Sequence, residues 1–131
     1  MIVVDASAMT EFLLQTPLGV RVEARLFRDD DLLCVPHLLD VEVAQAVRRL
    51  TRAGEVTDTR AAATLVDLAD FDLHRHGHVD LLDRIWQLRT NLTAYDAVYV
   101  ALAEALEAPL VTCDAPLSKA PGHKAQIEVI R

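Results

Sequence analysis

Four acidic residues carry the chemistry open to this 131-residue chain. Asp5 closes the apolar run Met1-Ile2-Val3-Val4, and Asp114 closes Pro109-Leu110-Val111-Thr112-Cys113. Asp96 opens the apolar stretch Ala97-Val98-Tyr99-Val100-Ala101-Leu102-Ala103, and Glu42 lies in a helical stretch that follows Leu33-Cys34-Val35. If these runs are neighbouring parallel strands and the helices between them, the four acids can meet at one edge of one sheet. Crowded carboxylates repel one another, so such a pocket calls for a cation. Oxygen ligands drawn from several chain segments suit a hard ion, Mg2+ or Mn2+.

Each acid also has a purely structural reading. Asp5 can cap a helix, with Ser7 as a rival cap, and Asp114 can cap a short helix starting near Pro116. Thr93-Ala94-Tyr95-Asp96 matches a capping box, in which the acid reaches back to the start of its helix. Glu42 lies at the edge of the stripe Leu39, Val43, Ala46 and Leu50, about 60° from Leu39. A carboxylate there is costly unless paired, so the bland alternative is an ion pair with an arginine. Asp40, on the opposite edge, reads as solvated.

The elements that must position these residues alternate. Ile2–Val4 is a short, wholly apolar strand of the central parallel type. Ala6–Gln15 reads as a helix with Met9, Phe12 and Leu13 on one face. Pro17 starts a second, to about Arg28, with Val20, Ala24 and Phe27 inward. Asp29-Asp30-Asp31 reads as a solvated turn, and Leu33–Val35 as a strand stopped by Pro36. His37–Ala53 is a helix ended by Gly54, and Thr57–Ala69 another. Phe71–His74 is expected as a strand, Leu81–Arg89 as a short helix with Trp86 in the core, Thr93–Ala108 as a long helix, and Leu110–Thr112 and Ile127–Ile130 as the last strands. This order predicts one domain spanning 1–131, an α/β fold with a parallel sheet covered on both faces. Ligands then bind beyond the carboxyl ends of the strands, where Asp5 and Asp114 fall.

Composition sets the outer limits. The chain is 52% hydrophobic and 25% charged, which fits a packed domain. A net charge of −7 argues against gripping nucleic acid by bulk charge, though not through a bound metal. Cys34 and Cys113 form no spaced framework and read as buried free thiols. Asp5 interrupts the opening apolar run and no charged region precedes it, so no secretory leader is expected. Ala94–Val111 carries Asp96, Glu104 and Glu107 and reads as a helix and strand rather than a membrane span. A cytoplasmic location is the expectation.

The chain resembles PIN-domain proteins, and within them the VapC-type ribonuclease toxins of type II toxin–antitoxin systems. The likeness rests on Met1-Ile2-Val3-Val4-Asp5-Ala6-Ser7-Ala8, on Pro36-His37-Leu38-Leu39-Asp40-Val41-Glu42-Val43, and most specifically on Leu88-Arg89-Thr90-Asn91-Leu92-Thr93-Ala94-Tyr95-Asp96-Ala97 with Tyr99-Val100-Ala101-Leu102-Ala103. It closes with Pro109 to Asp114. The resemblance implies a PIN-like four- or five-stranded parallel sheet and an acidic Mg2+ site. Asp5, Glu42, Asp96 and Asp114 fall on the family's acidic quartet, with Ser7 and Thr112 on positions whose hydroxyls support the pocket. It implies metal-dependent endonucleolytic cleavage of structured RNA such as tRNA or rRNA, a cognate VapB-like antitoxin whose tail covers the site, and a homodimer.

By the chemistry, Asp5, Asp96 and Asp114 are then the metal ligands, and Glu42 orients water or holds a second ion. Arg49, about 20° from Glu42 around the helix, Arg52 and Lys119 are candidate RNA contacts or else simply solvated. His74, His76 and His78 alternate and could face one transition metal from a strand, or form a strand end and loop. Two other classes compete. A phospho-acceptor receiver domain should carry paired acids after its first strand, where Asp5 stands alone. A non-catalytic PIN-fold binding module should lack an intact quartet.

Overall fold

The computed structural model describes residues 1–131. Five strands form one all-parallel sheet: β1 (Ile2–Val4), β2 (Leu33–Pro36), β3 (His74–His76), β4 (Leu110–Thr112) and β5 (Ile127–Val129), in the order β3-β2-β1-β4-β5. The central strand β1 pairs Ile2 with Leu33 on one side and Val3 with Leu110 on the other. Its three residues are fully buried, as a strand covered on both faces requires.

Six helices connect the strands: α1 (Ala6–Leu13), α2 (Pro17–Leu26), α3 (Leu38–Arg52), α4 (Asp58–Asp70), α5 (Leu82–Gln87) and α6 (Ala94–Leu106). The chain moves outward from β1 to β2 to β3, then crosses back to β4 and on to β5. Right-handed crossovers therefore put α1–α4 on one face and α5 and α6 on the other. The packing agrees: α1 meets α2, α3 and α4, while α5 packs on α6. Because the direction reverses between β1 and β4, their carboxyl ends border a crevice, and Asp5 and Asp114 leave the sheet there.

Local signals set most boundaries. Thr16, Thr57 and Thr93 cap α2, α4 and α6 through their hydroxyls, and Gly54, at φ +75°, turns the chain after α3. No helix is long and apolar enough to cross a membrane.

Several expectations are corrected. Helix α2 does not bury Val20, Ala24 and Phe27. It turns Gly19, Val22, Arg25 and Leu26 inward and leaves Val20 and Phe27 exposed. The cause is Gly19: a Cβ there would lie 2.0 Å from the Glu11 carbonyl oxygen, so α1 and α2 touch backbone to backbone at this point. Strand β3 begins at His74, not Phe71. Phe71 instead ends α4 and stacks its ring 5.2 Å from Phe12 and 6.2 Å from Phe27. Trp86 is not core. It is 67% exposed with the Arg89 guanidinium over its ring, because Ile85 and Leu88 take the inward positions of the short α5. Asp40 is not simply solvated, since Arg75 on β3 grips both its oxygens at 2.8 and 3.0 Å. Both cysteines are free, but only Cys34 is buried; Cys113 is half-buried.

Candidate active site

Asp5 is the first residue after β1 and the cap of α1. Its Oδ1 accepts the Ala8 amide at 2.9 Å and the Ser7 hydroxyl at 2.6 Å, and its Oδ2 accepts the Thr112 hydroxyl. The two supporting hydroxyls are themselves held. Ser7 Oγ accepts the Cys113 amide and Thr112 Oγ1 accepts the Asp114 amide, both at 2.9 Å. The capping and pocket readings of Asp5 thus hold together. Burial pushes its carboxyl above the usual range even against these three donors, and the charge of Asp114 adds to the rise.

Glu42 projects from α3 and is half-buried. Its bland partner, an arginine, is absent from the ion pairs; Tyr99 Oη on α6 donates to its Oε1 at 2.7 Å. Burial raises the Glu42 carboxyl most, with Asp96 and Asp5 adding repulsion, while the Tyr99 bond and Arg49 act in the other direction. Asp96 sits in the first turn of α6. Its amide donates to Thr93 Oγ1, so Thr93 caps the helix, while the expected bond from the acid back to the Thr93 amide is not formed. Burial raises its carboxyl, the Asp114 charge raises it further, and Thr93 opposes. Asp114 follows β4 and opens a short 3-10 turn, Ala115–Lys119, without capping it by its side chain.

The four carboxylates therefore lie within range of one another's charge: Asp5 with Asp114, Asp114 with Asp96, and Glu42 with both Asp96 and Asp5. None is in an ion pair. Neither Asp96 nor Asp114 has a cationic partner, and beyond the Thr93 hydroxyl no side chain bonds the Asp96 carboxylate. No three acids, histidines or cysteines anywhere converge tightly enough to hold an ion by direct bonds alone. Uncompensated carboxylate oxygens are the donor type that Mg2+ takes, with waters filling the rest of its shell. The spacing does not fit a tight cage for a transition metal, and His74, His76 and His78 form no such group either.

Arg49 joins Glu42, Ser7 and Glu11 in lining an open cleft of about 500 Å3 beside the acids. Arg52 and Lys119 are exposed, and neither lines that cleft. Tyr99 is the site residue that sequence reasoning passed over. A tyrosine within the apolar run Ala97–Ala103 needs a partner for its hydroxyl, and it lies three residues after Asp96; together these signals point to it.

A family model described as the PIN domain matches residues 2–122. Ribonuclease VapC1 of Mycobacterium tuberculosis is 40% identical over 130 residues, covering 98% of this chain and 97% of that protein. Ribonuclease VapC9 of the same organism is 44% identical over 133 residues, covering 99% and 98%. Among solved structures, VapBC2 from Rickettsia felis, crystallised with a DNA fragment from its promoter, superposes with a TM-score of 0.70 at 14% identity, covering 98% of each chain, a likeness of fold.

Proposed function

The chain belongs to the PIN-domain family and within it to the VapC ribonucleases, and from that premise we propose that it is a Mg2+- or Mn2+-dependent endoribonuclease toxin. Its substrate is a structured RNA such as tRNA or rRNA, and a cognate VapB-like antitoxin neutralises it. The observation that carries the reading is the set of four mutually repelling carboxylates at one sheet edge, with no ion pair to offset their charge.

In this reading Asp5, Asp96 and Asp114 would hold the ion. Ser7 and Thr112 fix Asp5 so that its carboxylate does not rotate. A divalent ion there supplies charge to the scissile phosphate and makes water more acidic. Glu42 orients the attacking water and takes its proton at Oε2, the oxygen that Tyr99 leaves free. Its raised carboxyl brings it nearer the basicity such a task needs. Arg49 meets a flanking phosphate from the cleft wall, while Arg52 and Lys119 steer RNA from the exposed rim. Metal-free, the same acids attract an Arg or Lys from an antitoxin tail, which would fill the pocket and exclude RNA. Residues 1–131 act as one PIN domain, as a homodimer, in the cytoplasm.

The test compares wild type with Asp5→Asn, mapping new 5′ and 3′ ends in total cellular RNA after expression and then with purified protein, with and without EDTA. Discrete cuts made only by metal-loaded wild type support the reading. Equal cutting by the variant or in EDTA sinks the metal-nuclease mechanism. No cutting of any RNA by metal-loaded wild type favours a binding module.

A further inference from the structure

Tyr99 provides the only hydrogen bond that the Glu42 carboxylate receives. Its ring is in the core, 2% exposed, so the hydroxyl reaches the site from inside the molecule. Helices α3 and α6 scarcely touch otherwise, which makes this bond the specific link between Glu42 and the helix that carries Asp96. Asp96 and Tyr99 are three residues apart and share a face of α6, so any shift of that helix moves both together. A glutamate has three rotatable side-chain bonds; half-buried on α3 with no other partner, it would sample several rotamers.

We propose that Tyr99 is a positioning residue for Glu42: its hydroxyl holds Oε1, fixes the rotamer, and sets the distance from Oε2 to the acids of the β1–β4 crevice. The inference rests on the ribonuclease reading above and assigns a role to a residue outside the acidic set. The phenol is the donor in this bond, since it carries one hydrogen and lies 2.7 Å from an oxygen of a carboxylate, which accepts. An orienting partner of this kind, one bond behind a working side chain, is worth about 10–100-fold in activity.

Tyr99→Phe removes the hydroxyl and keeps the ring. Wild type, Tyr99→Phe, Glu42→Ala and the double variant are assayed on labelled bulk tRNA and rRNA with Mn2+. Mn2+ affinity is measured separately by calorimetry. Tyr99→Phe is expected to lower kcat about 10–100-fold, with KM and Mn2+ affinity within about twofold, and to add less than about twofold in the Glu42→Ala background. Unchanged kcat in Tyr99→Phe overturns the proposal. Additive losses in the double variant show that Tyr99 acts through packing instead, and Mn2+ affinity falling in step with kcat shows that it acts on the ion. Two readouts need no cleavage. The Glu42 13Cδ resonance should move in Tyr99→Phe, and in wild type the buried Tyr99 hydroxyl should exchange slowly with solvent. An unmoved resonance or a fast-exchanging hydroxyl overturns the proposal even if Tyr99→Phe is unstable or no RNA is cut. Failure of the ribonuclease reading is seen separately, in wild type with Mn2+ cutting neither RNA.

Discussion

The Oγ of Ser7 stands 3.2 Å from the Oγ1 of Thr112, and each hydroxyl bonds a different oxygen of the same carboxylate, Asp5. A hydroxyl has one hydrogen. Both hydrogens point to Asp5, and the lone pairs take the amides of Cys113 and Asp114. One strand end, one helix start and the turn after β4 are thereby tied to a single anion.

Ser7→Ala and Thr112→Val should each therefore cost about 1–3 kcal/mol, since each removes a donor to a buried carboxylate and strands a backbone amide. Urea unfolding of the metal-free protein measures it. A loss under about 0.5 kcal/mol for Thr112→Val, whose side chain is fully buried, would show that water replaces the hydroxyl.

The pH dependence has a definite sign. Asp5, Glu42 and Asp96 all have carboxyls raised above their ordinary 3.8, 4.5 and 3.8 in the fold. A raised acid contributes stability that is fully present below its unfolded value and lost as pH rises through its folded value. Metal-free protein should therefore gain stability as pH falls from neutrality toward those ordinary values. Below them Glu104 and Glu128, lowered by Arg84 and Arg25, are protonated and the gain reverses. Melting temperatures in EDTA across pH 3–8, an interval chosen to bracket carboxylate titration, are the check. A monotonic rise of stability with pH would contradict it.

Mg2+ or Mn2+ should stabilise the folded state at neutral pH, by about 2.7 kcal/mol when the ion is 100-fold above its dissociation constant. Asp96→Asn should cut that shift to less than about half, because it removes one of the two neighbouring charges, Asp96 and Asp114, that repel each other without a cation. Equal thermal shifts in variant and wild type would remove Asp96 from the ligand set.

Trp86→Ala should change stability by no more than about 1 kcal/mol, the worth of an exposed cation–π pair with Arg89. Leu39→Ala, at a fully buried position, should cost about 2–5 kcal/mol. Calorimetric unfolding of the two variants separates surface from core.

What the sequence made legible follows from how signals are written in it. Strands β1 and β4 were plain because buried parallel strands are apolar on both faces, and the acids that end them were plain for the same reason. Strand β3 was displaced because His74-Arg75-His76 lies at a sheet edge and shows no apolar run. The inward face of α2 is not legible in hydrophobic periodicity, because its deciding contact, Gly19 on the Glu11 carbonyl, involves no side chain. Arg75 gripping Asp40 and Tyr99 serving Glu42 were hidden because both join segments distant in sequence.

The sequence separation of 107 between Asp5 and Thr112 carries a last consequence. Strand β1 is made first, yet it pairs on one side with β4, near the other end of the chain. At about 5–20 residues per second, ribosomal synthesis leaves roughly 5–20 s between the first acid and the hydroxyl that orients it. Throughout that interval the nascent chain has no assembled site. The acidic site of a chain built this way comes into being only as its sheet closes.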